Sequence, residues 1–265
     1  RIGVDVGGTF TDFLLLDGKG MSSVFKTPST PVDPSIGVLN GFRKMAENVG
    51  LNLEEFAAQV ELIVHGTTVT TNATLTGNGV KTGLLTTHGF RDILAMRRGY
   101  REKAYDNKLT PPKPLVAGNL CLGVEERIDI HGKVLTPLNV DTLHDAIGVL
   151  KNEDVEALTI CFMHSYANAE HEQMAKEVVE RELPGVFLTV SSELLPQARL
   201  YERVSTSVLN SYVGPILRNY LGYLSVALNR IGFAGVLLIM QSNGGVATPE
   251  STSKTPAMTL LSGDQ

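Results

Sequence analysis

The 265-residue chain lacks several features that define large classes of protein. Its two cysteines, Cys121 and Cys161, can form at most one disulfide, so a reducing compartment is expected. No apolar run reaches the roughly 18 residues that a membrane span needs. The net charge of −5 and the lack of a basic block argue against a nucleic-acid-binding face. We therefore expect a cytoplasmic protein with neither nucleic acid nor membrane as partner.

The two commonest nucleotide-binding motifs are also missing. Neither the Walker A pattern nor G-x-G-x-x-G occurs anywhere in the sequence, so P-loop and Rossmann assignments have no support. No internal repeat of short fixed period is visible. The content of 43% hydrophobic and 19% charged residues is that of an ordinary folded protein, long enough for one large domain or two small ones.

The hydrophobic periods predict a mixed α/β protein. Two strands, at 1–6 and 13–16, read as a hairpin with a glycine-bearing turn, and 24–27 can add a third strand. Helix, strand, helix and strand follow up to residue 85. We expect three regions: a first lobe at 1–90, a lid or linker with a small hairpin at 91–135, and a second α/β unit at 136–265.

The second half carries two further expectations. The long helical period at 201–228 is expected to break near Gly214 and Pro215, with Glu202 and Arg203 facing solvent. The segment QSNGG at 241–245, after a predicted strand, is either a second ligand-binding edge or a tight turn.

The strongest local signal is the segment DVGGTFTD at residues 5–12. Adjacent glycines let backbone amides approach an anion closely, hydroxyls beside them can donate to it, and flanking carboxylates suit Mg²⁺. These groups are, in the same order, Gly7 and Gly8, Thr9 and Thr11, and Asp5 and Asp12. The pattern favours a phosphate-and-metal loop; the alternative is a hairpin turn whose Thr and Asp residues cap strands.

A second candidate segment is HGTTVTTN at residues 65–72, which follows a short buried strand. Ligands collect at the carboxyl ends of strands in open α/β sheets, which makes His65 and Asn72 candidate site residues. The alternatives are a hydrogen-bonded structural histidine and ordinary helix-capping residues.

The segment at 5–12 resembles the first phosphate loop of the actin, sugar-kinase and Hsp70 ATPase superfamily. Within it, the chain is similar to the hydantoinase A/5-oxoprolinase family, which includes subunits of acetone and acetophenone carboxylases. The supporting segments occur in the expected order along nearly the whole chain: HGTTVTTN at 65–72, TTHGFRD at 86–92, VEERID at 124–129 with GKVLTPL at 132–138, and QSNGG at 241–245.

The resemblance implies an α/β fold: an actin-like ATPase (ribonuclease H-like) lobe with a mixed sheet, plus an additional α/β subdomain. It implies ATP and Mg²⁺ as cofactors and leaves open whether Zn²⁺ or Mn²⁺ enters the assembly. By this analogy Gly7, Gly8, Thr9 and Thr11 bind phosphate, Asp5 and Asp12 bind the metal, and Asp12 is also catalytic. The strand-end position adds Asn72 as a cofactor-binding residue and His65 as a catalytic one.

The implied activity is ATP-dependent activation of a carbonyl for the opening of a lactam or cyclic imide. One alternative is a subunit of an ATP-dependent ketone carboxylase, and another is a non-catalytic actin-like nucleotide-binding module. The resemblance also implies a hydantoinase B-like partner subunit or domain and an oligomeric assembly.

Three segments depart from the family pattern or have no assigned role. Ala117–Asn119 does not fit the Pro-Arg-containing stretch that the family carries there, and the basic loop at 91–101 could receive an anion or face solvent. After Thr259 a second lobe with its own phosphate loop is expected, but the sequence stops at Gln265. We therefore expect the chain to be the N-terminal portion of a larger enzyme.

Overall fold

A computed structural model describes residues 1–30, 33–99, 108 and 112–260 of the chain. The described residues form two compact units, each with its own hydrophobic core. The first unit comprises Arg1–Asn78 and Ile216–Gln265, and the second comprises Gly79–Pro215.

The first unit starts with a hairpin and a third strand, followed by helices and one more strand. Its elements up to residue 78 are β1 (Ile2–Val6), β2 (Phe10–Leu16), β3 (Ser22–Pro28), α1 (Pro34–Val49), α2 (Leu53–Ala58), β4 (Leu62–Thr67) and α3 (Val69–Thr76). The predicted three-stranded start and the helix at 69–76 are thus present.

The next eleven α-helices and β-strands of the described chain belong to the second unit, except that the last of them, a long helix, has its C-terminal half in the first unit. They are β5 (Thr82–Thr87), α4 (Ile93–Met96), β6 (Cys121–Val124), β7 (Arg127–Ile128), β8 (Val134–Thr136), α5 (Val140–Asn152), β9 (Ala157–Cys161), α6 (Glu170–Glu182), β10 (Phe187–Val190), α7 (Ser191–Leu194) and α8 (Leu200–Arg230). The chain then completes the first unit with β11 (Val236–Met240), β12 (Val246–Ala247) and α9 (Pro249–Lys254).

The sheet of the first unit has the strand order β12-β11-β4-β1-β2-β3. The strands β1, β2 and β3 are antiparallel neighbours, whereas β1, β4 and β11 are parallel to one another. One face of this sheet packs against α1, α2 and the C-terminal part of α8, where the side chains of the first core lie. The carboxyl ends of β1, β4 and β11 therefore share one edge of the sheet, close to the glycine turn.

Local sequence signals fix the position of α1. Asp33 is the N-cap, and its side chain accepts a hydrogen bond from the Ser35 amide, while Pro34 occupies the first turn. Gly50 ends the helix with a φ of 74°. Within the helix, a Cβ on Gly41 would lie 2.0 Å from the Phe13 ring, so only glycine allows the observed approach of α1 to β2.

The sheet of the second unit has the order β10-β9-β5-β6, with all its strands parallel. Every residue of β9 is buried, as expected for a strand with helices on both faces. The predicted small hairpin at His131 and Gly132 is also present, with Gly132 at a φ of 82° between β7 and β8.

The expected break in the long helix is absent, because α8 continues through Pro215 to Arg230. The neighbouring residues Val213 and Leu217 are fully buried, so packing on both sides of the proline holds the helical path. The division between the two units falls at this proline.

The expectation that Arg203 faces solvent is wrong. Its side chain is 1% exposed. It donates hydrogen bonds to Ser191 Oγ at 3.1 Å and to the carbonyls of Gln197 and Phe162, so its charge is held inside the second unit. Glu202 is partly exposed and forms an ion pair with Arg98.

The two units do not follow the sequence-based boundaries at 90 and 135. The first segment of the first unit ends at Asn78, and its second segment begins at Ile216. Both segments belong to one unit because β11, which follows the second unit in the sequence, pairs with β4. The predicted lid or linker at 91–135 falls partly on residues 100–107 and 109–111, which lie outside the described residues. Residues 31–32 and 261–265 also lie outside them.

Within the described residues, no helix has both the length and the apolar character required to cross a membrane.

Candidate functional site

The turn between β1 and β2 contains Gly7, Gly8 and Thr9. The Gly7 amide donates to the Phe10 carbonyl at 3.0 Å, and a Cβ on Gly7 would lie only 3.0 Å from the same oxygen. Gly8 and Thr9 are exposed at the tip of the turn. The turn therefore presents a stretch of open backbone to solvent, as an anion-binding loop requires.

Asp5 and Asp12 are directly opposite each other in the β1–β2 ladder. Directly opposed residues of an antiparallel pair project on the same face of the sheet, so the two carboxylates are neighbours. Burial raises the pKa of Asp5, and the negative charge of Asp12 raises that pKa further. Asp12 forms an ion pair with Lys26 on β3 at 3.0 Å.

Gly66 completes the surroundings of the acid pair. It lies opposite Asp5 in the β1–β4 ladder, and a Cβ there would be 3.2 Å from the Asp5 carboxylate oxygen Oδ1. With Met240 at the end of β11, these residues line a cavity of about 360 Å³. The site thus combines two acids, a glycine floor and open space beside them.

The donor set fits Mg²⁺ bound together with a phosphate. Within the described ranges, no group of three or more His, Cys, Asp or Glu side chains converges into a metal site. Mg²⁺ is usually held by one or two carboxylates, with waters and substrate phosphates as its other ligands. Asp5 and Asp12 supply two carboxylates, and a cation between them would offset the burial and, secondly, the negative charge of Asp12, which both raise the pKa of Asp5.

His65 lies on the opposite face of the same sheet. It pairs with Val4 in the β1–β4 ladder, whereas Asp5 pairs with Gly66, and successive side chains of a strand leave opposite faces. The imidazole is fully buried, and its Nε2 shares a 2.7 Å hydrogen bond with the Tyr220 hydroxyl. Burial lowers the pKa of His65 to about 4, so the ring is neutral at pH 7.

Thr11 also points toward the core side and is fully buried. Its hydroxyl shares a 3.0 Å hydrogen bond with Ser29 Oγ, which in turn donates to the Gly7 carbonyl at 2.8 Å. In this conformation the Thr11 side chain helps to hold the glycine turn in position from the core side of the sheet, through Ser29.

Asn72 is exposed on α3, close to the turn. Its Nδ2 donates to Thr68 Oγ1 at 3.2 Å, and the Thr68 hydroxyl donates to the Val6 carbonyl at 3.0 Å. A Cβ on Gly8 would be 3.7 Å from Asn72 Nδ2. Asn72 is thus beside the glycine turn, on the side away from the acid pair.

The structure therefore places the two acids on one side of the glycine turn and Asn72 on the other, with His65 and Thr11 on the core side of the sheet. Sequence reasoning missed Tyr220, Lys26 and Ser29, which contact these residues. Lys26 has a local signal, since strand pairing sets it opposite Asp12. Tyr220 has none, because it is 155 positions from His65.

The segment 241–245 forms a tight turn between β11 and β12. Gly244 has a φ of 79°, its amide donates to the Gln241 carbonyl at 3.0 Å, and the Gln241 amide donates to the Gly245 carbonyl at 2.8 Å. The turn is thus present, and the second ligand-binding edge stays a prediction.

Comparison with known proteins shows which proteins have a similar sequence and architecture. Residues 1–183 match the family model of the hydantoinase/oxoprolinase N-terminal region, and residues 203–264 match the model described as hydantoinase/oxoprolinase. Caprolactamase subunit alpha of Pseudomonas jessenii is 38% identical over 93% of this chain and 36% of its own length. The gamma subunit of acetophenone carboxylase from Aromatoleum aromaticum is 34% identical over 99% of this chain and 37% of its own length.

Solved structures agree with the sequence comparison. The crystal structure of ATP-dependent caprolactamase from Pseudomonas jessenii matches with a TM-score of 0.93 and 37% identity, over 99% of this chain and 38% of that one. This match confirms the expected actin-like ATPase type of α/β fold. The chain spans little more than a third of the length of these relatives, and it belongs to the hydantoinase/oxoprolinase family.

Proposed function

We propose that this chain supplies the first phosphate loop of an ATP-dependent enzyme that activates a carbonyl, and that the enzyme opens a lactam or cyclic imide. The observation that carries the proposal is the placement of Asp5 opposite Asp12, next to the open Gly7–Gly8 turn. Two adjacent carboxylates on a half-buried sheet surface repel each other, which is a cost that a bound cation removes.

The chemistry requires activation because an amide carbonyl is a poor electrophile and its nitrogen a poor leaving group. Transfer of the γ-phosphoryl group of ATP to the amide oxygen releases ADP and makes the carbonyl carbon electrophilic. One water adds to that carbon as the C–N bond breaks, and a second water hydrolyses the acyl phosphate to carboxylate and phosphate. Phosphoryl transfer itself depends on positioning and charge neutralisation. The glycine turn provides the positioning, and Mg²⁺ held by Asp5 and Asp12 would provide the charge neutralisation.

Each residue has a distinct part in this proposal. The turn at Gly7, Gly8 and Thr9 receives phosphate, and Asp5 and Asp12 hold Mg²⁺, which would neutralise charge on the phosphates. Asp12 is also the carboxylate that we assign to the orientation of the attacking water.

Three further residues support that arrangement. Asn72 fixes the approach to the turn from α3. Thr11 and His65 act from the core side as positioning residues, because the sheet separates His65 from the acids.

The assembly is part of the proposal. Curated relatives are subunits of larger enzymes, such as caprolactamase subunit alpha and the gamma subunit of acetophenone carboxylase. We propose a hydantoinase B-like partner that completes the reaction, in an oligomer. Both cysteines are buried as free thiols, which supports a cytoplasmic location.

The test is the Asp12→Asn variant of the full-length protein with its partner subunit. Loss of one metal-binding charge is expected to lower lactam-stimulated ATP hydrolysis by about a hundredfold or more. The fold should remain intact, because the Asp12–Lys26 ion pair is about half exposed and contributes about 1 kcal/mol or less. Steady-state release of phosphate and thermal unfolding measure the two effects.

The matched control is Asp145→Asn, which removes an exposed carboxylate from α5 in the second unit. It should keep wild-type turnover, and equal turnover in Asp12→Asn would exclude a role of the loop in catalysis. Bicarbonate separates the alternatives in the same assay. ATP hydrolysis that requires bicarbonate and a ketone indicates a carboxylase subunit, and nucleotide binding without stimulation by any substrate indicates a non-catalytic module.

A further inference from the structure

A second cavity opens on the far side of the glycine turn from the acid pair. It has a volume of about 590 Å³ and lies wholly within the first unit. Small-molecule pockets have volumes of about 300–1,000 Å³, so the space suits a small ring with room for water. Gly7 and Gly8 form one wall, and Asn72 on α3 lies beside them. Any molecule in this cavity is therefore next to the proposed phosphate site.

The polar lining is built from neutral groups. The side chains of Asn72, Asn78 and Asn219 reach the cavity from α3, the segment after it and α8. A side-chain amide both donates and accepts hydrogen bonds, and so complements the N–H and C=O groups of another amide. The apolar lining, which includes Val69 and Ile216, suits ring methylene groups.

The described residues that line this cavity include an acidic side chain and no basic one. None of the described residues around the cavity is Lys, Arg or His, and Asp33 is the acid among them. The carboxylate oxygen Oδ1 of Asp33 accepts hydrogen bonds from the amide and hydroxyl of Ser35, at 3.0 and 2.6 Å, which fixes the side chain in place. A substrate that carries its own carboxylate would meet repulsion here without a compensating cation.

Tyr220 also lines the cavity and is 5% exposed. Its hydroxyl shares a 2.7 Å hydrogen bond with Nε2 of the buried His65, so the polar end of this side chain already has a partner. His65 thus contacts a residue of the cavity lining although it is itself fully buried.

We propose that this cavity binds the substrate ring and selects an uncharged cyclic amide, a lactam or cyclic imide without a carboxylate. The inference rests on the proposed function and adds to it the substrate class and the place where the ring binds. The amide groups of the lining hold the ring, and the glycine wall places its carbonyl oxygen toward the phosphate.

The test compares lactams that differ in one charge, in the full-length protein with its partner subunit. The neutral probes are 2-pyrrolidinone, hydantoin and ε-caprolactam, and the charged probe is 5-oxoproline, which is 2-pyrrolidinone with an added carboxylate. The wild-type protein is expected to show kcat/KM for stimulated ATP hydrolysis about tenfold or more higher with its best neutral lactam than with 5-oxoproline.

The variant Asn219→Lys places a cation at the cavity and should reduce that preference about tenfold. Its matched control, Asn229→Lys, makes the same exchange at an exposed position ten residues further along α8 and should leave the preference unchanged. Asn78→Lys brings the same charge from another wall and serves if Asn219→Lys does not fold, as judged by thermal unfolding.

Each result has a defined meaning. Equal or better use of 5-oxoproline by the wild type would overturn selection for a neutral ring while the proposed function stands. A preference that changes equally in Asn219→Lys and Asn229→Lys, or in neither, would exclude this cavity as the ring site. If none of the four compounds stimulates ATP hydrolysis, the proposed lactam-opening function fails, and the inference fails with it.

Discussion

His65 and Gly66 are neighbours in β4, yet they lie on opposite faces of the sheet and in different chemical surroundings. Gly66 adjoins the Asp5 carboxylate at the solvent face, while His65 is buried against Tyr220. The pKa of His65 is lowered to about 4 by this burial, so a charged imidazole is strongly disfavoured in the folded state. The residue that a sequence motif marks as a candidate catalyst is therefore kept neutral by the fold.

This burial predicts a specific loss of stability in acid. The unfolded chain binds a proton at His65 with a pKa near 6.5, and the folded chain does so only near 4. The contribution of the neutral ring is thus present above pH 6.5 and lost as the pH falls through this window. Between pH 7 and pH 5 the free energy of unfolding should fall by about 2 kcal/mol from this group alone.

The variant His65→Gln isolates that contribution, because glutamine can bond Tyr220 but does not titrate. Urea unfolding followed by circular dichroism at pH 7 and pH 5 gives the pH-dependent loss for each protein. The loss should be about 2 kcal/mol smaller in His65→Gln than in the wild type. The same loss in both would show that His65 does not titrate as its burial predicts.

The sequence predicts part of the site, namely the residues whose strand face can be inferred from a local hairpin. The nearness of Asp5 and Asp12 follows from a hairpin with alternating side chains, so the loop motif is sufficient for it. The side on which His65 lies depends on the register between β1 and β4, and a shift of one residue would reverse it. That register is set by packing of residues far apart in the chain, which no local pattern records.

At the scale of the helices, close packing rather than propensity decides which glycines are required. Gly41 in α1 and Gly222 in α8 are both helical, and both lower the intrinsic helix propensity. A Cβ on Gly41 would lie 2.0 Å from the Phe13 ring, whereas nothing lies within 4 Å of one on Gly222. Glycine thus allows a close contact between helix and strand in α1, whereas in α8 Gly222 only lowers the stability of the helix.

Replacement by alanine should therefore have opposite effects at the two positions. Gly41→Ala should destabilise the protein by about 1–3 kcal/mol, since the Phe13 ring cannot retreat within the core. Gly222→Ala should stabilise it by about 0.5–1 kcal/mol through better helix propensity. Thermal unfolding of the two variants beside the wild type measures both effects. Shifts of the same sign would contradict the close contact between α1 and β2.

Helix α8 shows where local signals are overridden. Gly214 and Pro215 predict a break, but the helix continues. A Cβ on Gly214 would lie 2.3 Å from the Phe187 ring, so glycine is needed there for packing rather than as a helix end. Arg203 in the same helix is buried by Ser191 and Gln197, which directly precede α8, and by the Phe162 carbonyl, which lies 41 positions away. Composition along the helix cannot identify such a buried face, because the partners lie outside the helix.

At the scale of the whole molecule, the sequence of the second unit is inserted between the two segments of the first. The first core draws on β1 to β4, β11 and the end of α8, and the second core draws on β5, β6, β9, β10 and the start of α8. The longer helices and most of the strands of both units follow from periodicity, whereas the short elements α2, β6 and α9 do not. The grouping of the elements does not either, because it depends on the parallel pairing of β11 with β4 across the entire second unit.

Separate cores predict separate local stabilities. Leu158 in β9 is fully buried in the second core, and Ile63 in β4 is 1% exposed in the first. Truncation of either to alanine removes buried methyl groups and leaves a cavity, at a cost of about 2–5 kcal/mol. Because neither side chain belongs to the other core, each loss should appear as faster opening of its own unit.

Hydrogen exchange with mass spectrometry resolves this prediction along the chain. In Leu158→Ala, peptides from β5, β9 and α5 should exchange faster, and those from β1, β2 and β4 should keep the wild-type rate. In Ile63→Ala the pattern should be reversed, with α8 left out of the comparison because it contributes to both cores. Faster exchange in both units of either variant would mean that the two cores unfold as one cooperative body, so that changes in the second unit would reach Asp5, Asp12 and the glycine turn through global stability.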